Sequence, residues 1–452
     1  MKNPDFHHAL KILRDVCTGC THCMNICPTE AIRVRNGKAE LIGNRCVDCG
    51  FCFRVCPVNA IIVEQDDFNR IFEYKIRVAL VPAVFAGQFP DNISSRQIHS
   101  ELMELGFTHI YEVEQGVEVL HEAISEYAAR KSEIKPLISS FCPAIVRLIQ
   151  VKFPALVDNI LPLKPPLDIS ALYVTRQLID EGYDGDDLGI FYVTPCAAKI
   201  AAVKSPVGER QSPITGVINM DFLFNKVYRR IKQGNGDSCK LPEVRSLTAR
   251  SVLWSLTNGE STHAKGRSLA VDEIHNVISF LEQLENEEIR DIDFLELRAC
   301  DESCAGGVLT TSNRFFTVER LKKRASKSAG EDDNTKPVEK GIIHYKNRLK
   351  QEISIEPVQP RSMLKLDEDM SEAMRKMKRV QEIGKCLPDV DCGACGSPGC
   401  QSFAEDIVQG YSNLNQCVFV QRIFEKKGIL SAEESLAIMK EVWGDDKLDK
   451  NC

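Results

Sequence analysis

Apolar positions recur along this chain with two periods, and the change between them marks its parts. Near the start, two short apolar runs, Ile32–Val34 and Ile61–Val63, each follow a Cys-Pro step. The pattern predicts a short strand at each, preceded by a short helix over Pro28–Ala31 and Pro57–Ala60. From Tyr74 the texture becomes alternating strands and helices. RVALVPAVF (Arg77–Phe85) predicts a buried strand running into a loop, SRQIHSELMELGF an amphipathic helix, and THIYEVEQ the next strand. PLISSFCP, LGIFYVTPC and DIDFLELRACDESC predict three further strands, each ending in a cysteine loop. A helical AIVRLIQVKFP follows the first of them. In α/β folds, strand ends are where sites are assembled.

Beyond this region the pattern weakens. Arg324–Lys340 is charged and poor in large apolar residues, which predicts a linker or exposed loop. Residues 341–380 read as charged and helical, with Met363, Leu364, Met370, Met374 and Met377 as a sparse apolar stripe for packing. A last cysteine unit begins at Cys386, and the helical tail SAEESLAIMKEVW follows with Ser431 as N-cap.

Length and charge narrow the class. A chain of 452 residues accommodates two to four domains, and 43% hydrophobic residues is ordinary for packed globular protein. The net charge of −7, with no large basic block, argues against nucleic acid as a partner. MKNPDFHHALKILRDVC lacks the uninterrupted apolar stretch of a signal peptide. No run approaches the roughly 18 apolar residues of a membrane span. The expectation is a soluble cytoplasmic protein with no membrane span.

The cysteines change the picture most. Cys17, Cys20, Cys23 and Cys27 form C-x-x-C-x-x-C-x-x-x-C-P, closed by Pro28, and Cys46, Cys49, Cys52 and Cys56 repeat it, closed by Pro57. This is the spacing of a two-cluster bacterial ferredoxin. There, three thiolates of each run hold one 4Fe-4S cluster and the fourth reaches across to the other. Disulfides fit such runs poorly in a cytosolic chain. Zinc sites use pairs of ligands rather than two four-cysteine runs each ending in Cys-Pro. His22, inside the first loop, reads as shielding or tuning rather than ligating. The chain is thus expected to carry low-potential electrons in an anaerobic setting.

Cys142, Cys196, Cys300 and Cys304 lie far apart in sequence, each in a loop after an apolar strand. Alone, each could be a buried structural cysteine. Their contexts, SSFCPA, TPCAAK and RACDESCAGG, resemble the catalytic domain of the iron-only hydrogenase large-subunit family from about Lys75 to Lys323. The ferredoxin unit in front belongs to the same family architecture. The resemblance implies a two-lobed α/β domain with an H-cluster-like site between its lobes, a 4Fe-4S cubane with or without a two-iron carbonyl/cyanide unit. By the resemblance Cys142, Cys196, Cys300 and Cys304 ligate the cubane, with Cys304 bridging to any two-iron unit. Lys199 matches the lysine that hydrogen-bonds a cyanide, where a cation suits an anionic acceptor. Pro82 matches the loop lining that region, and Gly306 and Gly307 would let backbone approach the cluster.

Departures from the family pattern bear on activity. The residue before the first ligand, a proton-passing cysteine in hydrogen-producing members, is Phe141 here. The next relay carboxylate aligns with Gln115, although Glu118 keeps the following one, and a relay serine falls near Leu161. The two methionines that flank the two-iron unit align with Thr194 and Arg298. Proton transfer needs an unbroken chain of titratable groups. Efficient hydrogen evolution is therefore not expected, and slow or sensory hydrogen chemistry is.

LPDVDCGACGSPGCQSFAEDIVQG, followed by Cys417, resembles a small Fe-S domain of sensory hydrogenase-like proteins and electron-transport subunits, covering about Cys386 to Val420. By that pattern Cys392, Cys395, Cys400 and Cys417 are ligands, with a zinc knuckle as the alternative. Cys239, Cys386 and Cys452 remain unassigned. The expected fold is a multidomain mix of α+β and α/β: 1–70 a two-cluster ferredoxin domain, 71–323 a hydrogenase-like domain, 324–384 a charged linker and helix, and 385–452 a small helical cluster domain. Three 4Fe-4S clusters plus the H-cluster-like site would pass electrons to a redox protein, a multisubunit complex or a signalling partner. The alternative is an electron-transfer subunit of a larger redox complex, with no two-iron unit and no hydrogenase activity.

Overall fold

The computed structural model describes residues 6–130, 133–234, 247–330, 340–361, 366–367 and 369–448. Cys239, Cys452, Met363 and Leu364 fall outside the described residues, as does 331–339 of the expected linker. The chain forms two compact units. The first comprises Met1–Cys46, Gly50–Val63 and Arg361–Cys452; the second comprises Val47–Cys49 and Glu64–Pro360. No helix among the described residues is long and apolar enough to cross a membrane.

In the first unit, Leu10–Ile12 pairs antiparallel with Ile61–Val63, so Leu10 faces Val63 and Ile12 faces Ile61. Ile32–Arg35 pairs antiparallel with Lys38–Leu41 through a tight turn at Asn36 and Gly37. The predicted helices at Pro28–Ala31 and Pro57–Ala60 do not form. The helices lie earlier, at His22–Asn25 and Phe51–Val55. Glu30 and Asn59 take φ +52°, a left-handed conformation that a helix cannot contain, and the prolines withhold an N–H. Ala31 N–H and Ala60 N–H instead donate to Cys27 Sγ (3.1 Å) and Cys56 Sγ (3.2 Å).

The C-terminal segment of this unit is helical: Met370–Gly384, Cys400–Val408, Val418–Lys426 and Ala432–Trp443. Val380, Leu387, Phe403, Ala404 and Val420 form its buried core. Ser431 caps Ala432–Trp443 as the pattern predicts, in a reciprocal box with Glu434.

The second unit holds two parallel sheets. One has the order His109–Glu112, Ile76–Val81, Leu188–Thr194, Gly216–Asn219. Its central strands are apolar on both faces, and Leu188–Thr194 is buried throughout, as a strand covered by helices on both sides must be. The other has the order Ser268–Val271, Phe294–Leu297, Leu137–Ile138. All described pairings in both sheets are parallel, so their carboxyl ends deliver loops in a common sense. The helix Arg314–Gly330 runs on through Arg324, where the pattern predicts a linker. Likewise 341–380 is not one helix. Lys340–Glu352 ends before an extended stretch containing Pro357 and Pro360, which bridges Ser354 to Leu163.

Candidate metal centre

Three strand ends of the second unit carry the spaced cysteines. Leu137–Ile138 leads to Cys142, Leu188–Thr194 to Cys196, and Phe294–Leu297 to Cys300 and Cys304. Cys142 and Cys196 each stand at the N-cap of the following helix, Pro143–Lys152 and Ala197–Lys204. That position places free helix N–H groups and the positive end of the dipole beside a thiolate. Cys304 lies in the short turn Ser303–Gly306, and Ser303 N–H closes back on Cys300 O at 3.0 Å.

The cysteines converge electrostatically. Burial pushes the Cys196 thiol up to about 12; Lys199 opposes this, and Cys304 and Cys142 add to it. Lys199 is 8% exposed, and its Nζ lies 3.5 Å from Cys304 Sγ. Burial pulls its pKa down, but Cys304, Tyr192, Cys196 and Cys142 more than reverse that and hold the ammonium charged. Arg298, also fully buried, is held charged by Glu260 and Glu296, with Cys304 and Cys142 contributing. The two cations clasp Phe141: Lys199 Nζ is 4.5 Å and Arg298 Cζ 4.1 Å from its ring centroid.

These residues fit an anionic iron–sulfur group. The Tyr192 hydroxyl, Ser255 Oγ and Arg298 Nη1 are buried without a hydrogen-bond partner among the described residues. Cys304 N–H donates to Ser255 O, so the Ser255 hydroxyl belongs to the same neighbourhood. Three orphaned donors and a buried ammonium around thiolates are what sulfide or cyanide acceptors would satisfy. Gly307 and Gly306 answer to protein backbone as well. A Cβ on Gly306 would stand 1.9 Å from Asp301 O, and one on Gly307 2.5 Å from Pro195 O.

The remaining candidates sort as follows. Pro82 caps the turn Ala83–Ala86. Glu118 accepts from Thr248 Oγ1 (3.0 Å) and Arg250 Nη1 (3.1 Å). Gln115 Oε1 is buried without a partner among the described residues. Leu161 is buried, and its N–H donates to Ile138 O. Sequence reasoning passed over Glu114. Its carboxylate is buried, accepts from Ala83 N–H at 2.8 Å, and is pushed up to about 7 by burial and by Glu112, with Lys199 among the opposing groups. The acid sits one position before Gln115, so a carboxylate does reach the Pro82–Lys199 neighbourhood. The clue available in the sequence was EVEQG, two acids at alternate positions of a strand end.

In the first unit, the Cys23 thiol is pushed up to about 12 by burial, with Cys17, Cys20 and Cys56 adding to it. The fourth contributor comes from the second run, the crossing that the ferredoxin spacing predicts. Cys17 Sγ accepts from the N–H groups of Gly19 (3.4 Å) and Ala39 (3.3 Å). Cys392, Cys395, Cys400 and Cys417 line one pocket with Leu387, Phe403 and Val418. Burial raises the Cys395 thiol to about 11, Cys417 and Cys392 adding to it.

Known proteins match these regions. Residues 75–225 match the family described as iron only hydrogenase large subunit, C-terminal domain. The chain carries an iron-only hydrogenase large-subunit domain. The matched stretch of this hydrogenase-family domain contains Cys142, Cys196 and Lys199. Residues 16–61 match a 4Fe-4S dicluster domain and 387–419 an Fe-S cluster domain, so all three matched regions are of iron–sulfur type.

Over 283 residues it is 28% identical to the periplasmic Fe hydrogenase large subunit of Nitratidesulfovibrio vulgaris, covering 57% of this chain and 67% of that one. Over 299 residues it is 23% identical to the NADP-reducing hydrogenase subunit HndD of Solidesulfovibrio fructosivorans, covering 62% and 46%. A 38-residue stretch is 47% identical to a subunit of the ion-translocating oxidoreductase complex of Azoarcus, covering 8% of this chain and 21% of that one. The chain thus spans less than half the length of these last two relatives. Among solved structures, an iron-only hydrogenase of Chlamydomonas reinhardtii superposes with a TM-score of 0.49 at 16% identity, covering 66% of this chain and 97% of that one.

Proposed function

We propose that the chain passes low-potential electrons between two ferredoxin-type clusters, a C-terminal cluster and an H-cluster-like site. The ligand sets are Cys17, Cys20, Cys23 and Cys56; Cys46, Cys49, Cys52 and Cys27; Cys392, Cys395, Cys400 and Cys417; and Cys142, Cys196, Cys300 and Cys304. The observation that carries the reading is the buried ammonium of Lys199 among Cys142, Cys196 and Cys304, with orphaned donors around it. A group bound there would supply redox chemistry. Lys199 and the Tyr192 hydroxyl would orient its anionic edge, and Phe141 and Arg298 would exclude water. Slow or sensory hydrogen chemistry follows, because the ring of Phe141 stands where a proton-passing thiol is expected and is only 6% exposed.

The same ring supports a second reading, a cubane without the two-iron unit. Phe141 fills the space between Lys199 and Arg298, the side chains that would otherwise face added ligands. The protein works in the cytoplasm on this reading. Its partner is a redox protein or a multisubunit complex, as the names of two relatives suggest. Metal analysis with infrared spectroscopy on anaerobically matured protein separates the readings. About 18 irons with carbonyl and cyanide bands support the two-iron unit, and about 16 without bands the plain cubane. Fewer than about 12 would refute the four-cluster reading.

A further inference from the structure

The C-terminal cluster loop packs onto the ferredoxin hairpin. Val34 N–H donates to Gly396 O at 2.8 Å, on the edge of Ile32–Arg35 that Lys38–Leu41 leaves open. Arg35, on the same strand, donates to Cys395 O (3.4 Å), Ser397 Oγ (3.2 Å), Asp406 Oδ2 (3.1 Å) and Ser412 Oγ (2.7 Å). Arg33 grips Asp406 through Nε (2.6 Å) and Nη2 (3.1 Å), with side chains only 3% and 10% exposed. Arg45 pairs with Glu405 beside them.

This fit dictates one glycine and sets a second against a side chain. Gly396 sits at φ +78°, and a Cβ there would meet Val34 O at 2.2 Å. Gly393 sits at φ +71°, and a Cβ there would lie 2.9 Å from Met24 Cε. Met24 follows Cys23 and is 1% exposed, while Gly393 follows Cys392. One methionine methyl therefore joins the two ligand-bearing loops. The end of the chain closes over the same hairpin. Asn36 N–H donates to Glu441 O (3.1 Å), Gly37 N–H to Val442 O (2.9 Å), and Trp443 Nε1 to Ala394 O (2.9 Å).

We infer that Met24, Gly393 and Arg35 form an electron junction that couples the Cys17/Cys20/Cys23/Cys56 site directly to the Cys392/Cys395/Cys400/Cys417 site. One electron leaves one site as the other gains it; no bond or proton moves. The C-terminal site is then a branch on the ferredoxin. Arg35 is a positioning residue, a half-buried cation that fixes the Cys395 loop on the strand. The inference rests on the proposed function only in that both sites hold clusters.

The test uses the full chain, reduced stepwise and followed by electron paramagnetic resonance. The N-terminal signal of the wild-type protein broadens as the C-terminal site takes its electron. In Cys417→Ser, which has lost the C-terminal cluster, that broadening is absent. Amide exchange supplies a readout independent of metal: in Gly396→Val the Val34 and Gly37 amides exchange at least about tenfold faster than in wild type. Identical N-terminal signals in wild type and Cys417→Ser, or Val34 and Gly37 amides that exchange freely in wild type, overturn the junction. An iron content too low to fill the two sites instead removes the proposed function beneath it, so the two failures are distinguishable.

Discussion

Replacing Arg298 by methionine tests the charge arrangement beneath the middle site. The guanidinium pairs with Glu260 Oε1 at 2.5 Å and lies 3.5 Å from Glu296 Oε1, and none of the three side chains is more than 2% exposed. Glu260 also accepts from Ser139 Oγ at 2.8 Å, and Glu296 Oε2 accepts from the N–H groups of Glu260 and Ser261 at 2.9 and 2.8 Å. Methionine keeps much of the volume and removes the charge, leaving two carboxylates buried and uncompensated. Removing one partner of such a pair costs about 3–5 kcal/mol. Burial already raises the Glu260 carboxyl, so proton uptake there holds the loss toward the lower end. At about 2 °C per kcal/mol for a large domain, Arg298→Met lowers the thermal midpoint by about 6–8 °C. The assay is circular dichroism melting of wild type, Arg298→Met, Glu260→Gln and the double variant at one pH. The double variant loses less than the two single losses combined, because a neutral amide at position 260 no longer needs the cation. A single-variant drop under about 2 °C, or strict additivity, would refute the reasoning.

Other outcomes follow from the same structure. Burial pushes the Asp168 carboxyl up to about 6, with Lys164 pulling the other way. The folded protein thus holds this proton more tightly than the unfolded chain, and stability falls as pH rises from about 4 through 6. Asp168→Asn removes that slope. Because Asp168 borders a cavity shared with Val113, Phe141 and Leu167, solvent trims the gain at pH 8 to about 1–2 kcal/mol, read from denaturation midpoints at pH 5 and 8. Leu80→Ala, at a fully buried position of the central strand Ile76–Val81, costs about 2–5 kcal/mol by the same measurement. Ser431→Ala removes the cap of Ala432–Trp443 and costs about 1 kcal/mol, seen as faster amide exchange in the first turn of that helix. Cys417→Ser lowers bound iron by about four per chain, measured by metal analysis.

The parts of this molecule written in local spacing were readable from the sequence, and the parts made by distant contacts were not. The loop contexts SSFCPA, TPCAAK and RACDESCAGG grouped Cys142, Cys196 and Cys304 through their family resemblance, although the strands that carry them lie in two different sheets. Apolar runs gave Ile76–Val81 and Leu188–Thr194, because strands covered on both faces are written as unbroken hydrophobic stretches. The helices expected after Cys27 and Cys56 failed on backbone conformation, since the left-handed Glu30 and Asn59 leave no trace in hydrophobic pattern. Glu114 was hidden by its neighbour: alignment by position drew Gln115, while the turn aims the adjacent acid at Ala83. Arg33 and Arg35 carry no signal of their partners in the short apolar strand around them. Only the fold reveals Asp406, 373 residues beyond Arg33, as the reason they are covered.

That separation has a consequence in time. A ribosome making this chain releases the Ile32–Arg35 hairpin and its cysteine run long before residues 393–442 exist. At roughly 5–20 residues per second the interval is on the order of tens of seconds. Throughout it the Val34 and Gly37 amides face water, and the loop of Cys17 to Cys23 lies open to whatever delivers iron and sulfide. Once the helix Ala432–Trp443 arrives, its carbonyls at Glu441 and Val442 close the edge. The order of synthesis therefore allows the N-terminal site to be loaded first and sealed last. A nascent chain stalled before residue 393 would expose an unpaired strand edge to its neighbours on the polysome.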